Sequence, residues 1–311
     1  IHIFTQNNLK MKKLSTFAVL FLAIVTFAQT YNISLNLKKG ETYYTLTDIK
    51  MDMLQKVMGQ EMPMKMNMLL GLSFNVLEAQ KDVFNLEAKY SYLGTNVSMM
   101  GQNFVMASDA DISLPPNKLM ASMVNVPFTM KVKPNGDVVE VIGYEKVIDA
   151  MKNAMPDSPS TKEFEKSYSK EQISQNFKST FFAIPPKPVK IGETWNAVFV
   201  SKNNDLDISN NMTCKLEAVE GDVYKISYTG DLLAKEGTTM EKEGMKMNVK
   251  KMDGKMSGTL LLDKKSSWVK SSDNLGNLNM EIEADMNGTK MPMESKIDMV
   301  YKTTNEAAPK K

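Results

Sequence analysis

Methionine carries most of the chemistry this chain could do. Of 311 residues, 27 are methionine against 25 leucines, with 1 cysteine, 1 histidine and no arginine, although leucine is ordinarily among the commonest residues. The thioethers recur at every second position: Met51-x-Met53, Met62-x-Met64-x-Met66-x-Met68, Met245-x-Met247 and Met291-x-Met293. Thioether sulfur prefers soft Cu(I) or Ag(I), which makes Met62, Met64, Met66, Met245 and Met247 the candidate ligands of a soft-metal site. On a strand, positions i and i+2 stand roughly 6.5–7 Å apart on one face. Two neighbours so spaced do not grip one ion easily, so ligands would have to converge from adjacent strands. Methionine is also flexible and polarizable and suits surfaces that accept varied apolar partners. In that reading Met64, Met66, Met68, Leu70, Leu72 and Phe74, with Met280, Ile282, Met291 and Met293, line a site for a lipid, an acyl chain or another apolar molecule. In a third reading the same face is plain hydrophobic core, methionine standing in for leucine. Alternation is common to all three.

Other chemistry is thinly supplied. The only histidine is His2 and the only cysteine Cys214, which leaves no Ser/His/Asp set, no Cys/His pair, no histidine zinc site and no intrachain disulfide. The expectation is a non-enzymatic protein without a cofactor. A formal charge of +2 without arginine gives neither a strong field nor a bidentate fork for phosphate or guanine, so no nucleic-acid partner is expected. Ser108, Asp109 and Asp111 form an acidic loop that lacks the ligand ladder of an EF-hand. Asp205 and Asp207 read as a solvated strand edge, and Glu281, Glu283 and Asp285 as the polar side of a strand.

These residues must be held by strands. Met62 to Val76 keep one parity apolar while Glu61, Lys65, Asn67, Ser73 and Asn75 hold the other, as a half-buried strand does. Met280 to Met286 and Met291 to Tyr301 repeat this, with Asn287-Gly288 as the turn between them. Asn135-Gly136, Gly101-Gln102, Gly221-Asp222 and Asp253-Gly254 mark further reversals, giving about ten strands. Likeness at a distance points to duplication: residues 38–43 (KKGETY) match 190–195 (KIGETW), 77–79 match 216–218, 82–84 match 222–224, and 129–132 more weakly match 259–262. Tyr43 and Trp195 are then equivalent core anchors. Between the halves Tyr144, Val147, Ile148 and Met151 fall on one helical face. Phe164, Tyr168, Ile173, Phe177 and Phe181 make a looser stripe ended by Pro185, and a short helix follows Pro115-Pro116.

The expected fold is mainly β (α+β): a long antiparallel meander forming a curved sheet or half-barrel, internally duplicated, with a helical connector or lid. Residues 1–28 read as an upstream extension plus a secretory signal peptide starting at Met11, with Lys12, Lys13 and the apolar run to Ala28 before a cut at Gln29. Residues 29–140 form the first β unit, 141–189 the connector, 190–303 the second unit and 304–311 a flexible tail. Removing 1–28 takes away three lysines and leaves a near-neutral chain with no further run of membrane-spanning length. The expected product is exported to the periplasm or beyond, where it meets an apolar small molecule or an envelope protein.

The leader ending in Ala28-Gln29, the opening Lys38-Lys39-Gly40-Glu41-Thr42-Tyr43, the long alternating strands and the second Gly192-Glu193-Thr194-Trp195 resemble a family of exported Bacteroidetes proteins classed only as a domain of unknown function. The resemblance spans roughly residues 30–303 and implies no activity. More remotely, the expected architecture is similar to the LolA-type lipoprotein carriers, in which a curved antiparallel sheet with a helical lid holds acyl chains. This chain departs from them in its length, its duplication and its lack of arginine.

Overall fold

The computed structural model describes residues 29–156, 173–174, 177–203, 206–234, 236–242, 245–286 and 289–309. The chain opens with β1 (Thr30–Tyr31), β2 (Thr42–Val57), β3 (Gln60–Ala79), β4 (Phe84–Met99) and β5 (Gln102–Ala107). Then come α1 (Pro115–Met123), β6 (Phe128–Val132), β7 (Val138–Ile142) and α2 (Glu145–Ala154). After the connector follow β8 (Val189–Lys190), β9 (Thr194–Asn203), β10 (Leu206–Glu220), β11 (Val223–Ala234), β12 (Thr239–Lys242), β13 (Met245–Asp263), β14 (Val269–Met286) and β15 (Thr289–Thr304). The protein is mainly β. One thirteen-stranded sheet runs β7-β6-β4-β3-β2-β15-β14-β13-β11-β10-β9, with β5 on β4 and β12 on β13. Every ladder in it is antiparallel and its ends are not joined, so it is an open meander.

Duplication is written into the hydrogen bonds. Gly40 N–H donates to the Val76 carbonyl and Val76 N–H to that of Glu41; Gly192 and Leu216, then Leu216 and Glu193, repeat the pair. Both glycines sit at positive φ, +83° and +87°, the backbone region glycine enters without steric cost. Phe84 faces Val132 and Leu86 faces Met130, as Tyr224 faces Leu262 and Ile226 faces Leu260. The halves therefore run β2-β3-β4-β6-β7 and β9-β10-β11-β13-β14, and β15 joins β14 to β2.

Two sequence expectations need correction. Val76, not Leu77, is the counterpart of Leu216: the bulges after Val76 and after Leu216 coincide, and a bulge shifts the strand by one residue. Asp253-Gly254 is no reversal, because it lies inside β13, opposite Asn279 and Leu278. A Cβ at Gly254 would collide with the Asn277 carbonyl, so the glycine serves a close backbone approach.

The helical expectations fare differently. α2 buries Val147 and Met151 beside Tyr144, as its spacing requires, and α1 starts at Pro115-Pro116, where proline's missing N–H costs nothing. Phe164 and Tyr168 lie outside the described residues. Residues 173–174 and 177–178 are helical and lead into a 3-10 turn at Ser179–Phe181. Among the described residues no helix is long and apolar enough to cross a membrane.

The connector spans both cores. Phe177 packs on Phe128 (5.5 Å between ring centres), Phe181 on Trp268 (5.5 Å), and Phe182 on Tyr228 (5.0 Å) and Phe199 (5.5 Å). Phe128 and Trp268 belong to the first core, Tyr228 to the second. At the same end Ile33, Leu35 and Leu37 are buried, with Leu35 N–H bonded to the Pro134 carbonyl and Asn36 N–H to that of Ser266. This strap ties the β6–β7 turn to the β13–β14 turn.

Candidate functional site

One face of the sheet carries every residue expected to line a ligand site. Met64 to Phe74 take the even positions of β3. Met66 faces Met51, Met51 faces Met299, and Met293 faces Ile282. Since side chains alternate along a strand and facing residues share a side, Met64, Met66, Met68, Leu70, Leu72, Phe74, Met280, Ile282, Met291 and Met293 all point the same way. The structure then divides them. Leu70 and Leu72 line a cavity of about 480 Å³ between this face and the connector. Phe74 is fully buried beside Trp268, 5.1 Å between ring centres. Met64, Met66 and Met68 continue half-buried toward the β2–β3 turn, and Met280, Ile282, Met291 and Met293 occupy the β14–β15 hairpin.

The cavity draws on nearly the whole width of the sheet. Tyr90 of β4 and Phe199 of β9 both reach it, with Tyr228, Met256, Leu260, Val269 and Tyr301 between them, and Ile173, Phe177 and Phe182 close it from the connector. A sheet whose strands β4 and β9 share one cavity must curl around it. Among the described residues no charged side chain lines this cavity. Its polar groups are mostly bonded to one another or to backbone: Tyr90 Oη to Tyr144 Oη at 3.0 Å, Thr47 Oγ1 to Thr303 Oγ1 at 3.1 Å, and Asn210 Nδ2 donating to the Ile208 carbonyl at 2.9 Å. Asn274 Nδ2 donates to Ser272 Oγ at 3.1 Å, while Asn274 Oδ1 is buried without a partner among the described residues. Burial raises the Tyr228 and Tyr301 hydroxyls above the ordinary range and so favours their neutral form. The arrangement can hold an uncharged, largely apolar molecule of the size such cavities take.

Connector residues Phe177 and Phe181 were visible in sequence as a helical stripe. Tyr90, Phe199, Tyr228 and Tyr301 were not, because a cavity wall assembled across nine strands leaves no local spacing in any one of them.

The soft-metal candidates are scattered. Met62, Met64 and Met66 stand on β3 and Met247 on β13, with β2, β15 and β14 between; four strand spacings are about 19 Å. The Met245 side chain lies outside the described residues. The acidic loop is spent on its own chain: Ser108 Oγ accepts from Leu93 N–H, Asp111 Oδ1 from Ser113 N–H, and the Asp111 carbonyl from Asn117 Nδ2. Asp205 lies outside the described residues. Glu283 pairs with Lys290 (3.0 Å) and Lys250 (3.4 Å), and these lysines hold its carboxyl below the usual range. Among the described residues no group of three His, Cys, Asp or Glu could hold a metal. The opposite face carries a wider groove of about 1140 Å³ lined by Lys50, Asp52, Lys65, Asp231, Lys255 and Asp298. Lys65 pairs with Asp52 at 3.4 Å, and three lysines against three aspartates leave no net field to select a ligand.

The chain belongs to the Family of unknown function (DUF6263), whose model matches residues 81–269. No curated protein matches it. Among solved structures it is similar to an outer membrane channel from Pseudomonas putida F1, at 6% identity over 87% of this chain and 97% of that one with a TM-score of 0.26. It is also similar to OmpF from Salmonella typhi in complex with daunomycin, at 6% identity over 87% and 99% with a TM-score of 0.24. OpdQ from Pseudomonas aeruginosa matches at 6% over 86% and 99% with a TM-score of 0.22. Overlaps this loose carry no argument about what the chain does.

Proposed function

We propose that this protein is an exported, non-enzymatic carrier or binder of a neutral apolar molecule, such as an uncharged lipid or acyl chain, held between the curled sheet and its helical connector. The observation that supports this reading is the lining of the cavity of about 480 Å³, with aromatic and aliphatic walls, no ionised group among the described residues, and polar atoms largely satisfied already. A carboxylate or ammonium there would lose its hydration without a countercharge, so the reading selects against free fatty acids. Envelope localisation rests on the leader-like residues 11–28.

The test uses the neutral fluorophore phenylnaphthylamine. It should bind with about one site per chain; oleyl alcohol should displace it, and oleate at about pH 8, where the acid is ionised, should not. Leu70→Trp adds bulk to the cavity wall and should abolish the signal while the circular dichroism spectrum is kept. Equal displacement by alcohol and carboxylate, or full binding by the Leu70→Trp protein, would refute it. Native mass spectrometry of protein from its own host, followed by lipid extraction, identifies the resident molecule.

A further inference from the structure

We propose that the hairpin end of the sheet, opposite the connector, docks on a phospholipid bilayer by shallow insertion of two turn apices and the edge strand beside them. The turns are Val57-Met58-Gly59-Gln60 and Met99-Met100-Gly101-Gln102, each joining two strands through a Met-Gly pair. All four central residues have positive φ: Met58 +50°, Gly59 +84°, Met100 +52° and Gly101 +77°. That is the type I′ turn, whose first central position is ordinarily Asn, Asp or Gly. Methionine there opposes the backbone preference, and at 70% and 75% exposure it opposes the hydrophobic effect as well. Two local rules broken together in two hairpins of one sheet end mark a site selected for something other than folding.

The second turn leads into β5, where Phe104 is 48% and Val105 64% exposed. They lie on opposite faces of a strand that, among the described residues, pairs only with β4. Edge strands normally carry a charge or proline against unwanted pairing, yet residues 93–108 contain no charged side chain. Near the first turn Lys56 stands between Glu61 and Glu294, so no excess of basic charge surrounds it.

Met58, Met99, Met100, Phe104 and Val105 are far fewer than the roughly 20–30 residues each side of a standard protein interface presents. They also project from separate turns rather than forming a flat face. Small apolar protrusions suit the headgroup–acyl boundary, where side chains enter by about 5–10 Å, and without an excess of basic residues anionic lipid gives no added attraction.

The experiment is flotation of the chain beginning at Gln29, without its apolar leader, on vesicles of phosphatidylcholine and phosphatidylethanolamine. Wild type should float with the vesicles, undiminished by about 0.5 M salt, at which exposed charges are screened within a few Å, and unimproved by phosphatidylglycerol. Met58→Asn/Met100→Asn, which restores the favoured turn residue, should raise the unfolding temperature yet lower vesicle partition by about tenfold or more. Phe104→Ser/Val105→Ser should lower partition independently of turn strain. A wild type that stays in the soluble fraction, or an asparagine variant that floats equally well, overturns the proposal. So does a dimer in light scattering that these substitutions dissociate without any vesicle binding. Cavity binding of phenylnaphthylamine should be the same in all variants, so failure here leaves the carrier reading separately testable.

Discussion

The two tryptophans should answer differently to the same substitution. Trp268, 1% exposed, stands in the first core though it belongs to the second repeat. Its ring centre is 5.0 Å from that of Tyr43, 5.1 Å from Phe74 and 5.5 Å from Phe181, and its Nε1–H donates to the Tyr44 carbonyl at 2.9 Å. Trp195 is also buried, 6% exposed, in the second core, but its Nε1 has no partner among the described residues. Replacing either by phenylalanine removes part of a ring and costs about 1–2 kcal/mol in lost packing. At Trp268 the change also breaks a hydrogen bond and leaves a carbonyl unpaired, adding about 1–2 kcal/mol. At Trp195 it deletes an unsatisfied buried donor, returning about 1–2 kcal/mol. Trp268→Phe should therefore destabilise by about 2–4 kcal/mol, and Trp195→Phe should lie near zero. Urea unfolding followed by far-ultraviolet circular dichroism measures both, and the slope of free energy on denaturant shows whether each variant keeps the wild-type transition. The tryptophan remaining in each variant reports its own core by fluorescence. If Trp195→Phe destabilises as much as Trp268→Phe, the account of the two indoles is wrong.

Burial pushes the Cys214 thiol up to about 12, so it should not react with Ellman's reagent at about pH 8 until the chain is unfolded, and then release one equivalent of thiolate; reaction in the folded state would show that the core opens there. The Tyr43, Tyr228 and Tyr301 hydroxyls are likewise raised, chiefly by burial. Groups whose folded pKa exceeds the unfolded value stabilise fully below the unfolded pKa and cease to as pH rises through the folded one. Stability should thus be flat to about pH 9 and fall between about 9 and 12, and a melting temperature level through that window would contradict the burial. Gly230→Ala would place a Cβ against Met212 Sδ and the Asn211 carbonyl, overpacking that should cost about 1–3 kcal/mol in the same urea assay; an unchanged midpoint would mean the strands part easily there.

Elements governed by local chemistry were legible in the sequence. The period-2 run of β3, the Asn135-Gly136 hairpin, the proline-led α1 and the face of α2 each follow from residues within a turn or two of one another. The duplication was legible because the Lys-x-Gly-Glu turn needs glycine at positive φ in both halves, which left the same letters in place. What failed was whatever depends on a neighbouring strand. Gly254 reads as a turn because sequence does not show Asn277 lying over it. The match of Leu77 with Leu216 was off by one because a bulge is a property of a ladder. The cavity wall and the partner of Trp268 are set by strand order, which becomes visible only once β15 is seen to join β14 to β2.

The methionine excess has two physical origins that sequence alone merges. Across β10, β11, β13, β14, β15, β2 and β3 the facing residues run Met212, Gly230, Met256, Gly276, Met299, Met51, Met66. Large and small alternate over the first five. Where a glycine stands, its neighbour occupies the vacated space: the sulfur of Met212 lies where a Cβ of Gly230 would be, and the methyl of Met299 would be 3.1 Å from a Cβ on Gly276. An unbranched, flexible side chain can lie across a glycine and fill such a gap, whereas leucine's fork or a β-branched residue brings bulk too near its own backbone. These methionines belong to the packing of a curled sheet. Met58 and Met100 do the opposite: they stand in water, on backbone that disfavours them, in the β2–β3 and β4–β5 turns. Packing accounts for the row and cannot account for the apices, so the apices are where a function outside the fold has its clearest physical mark.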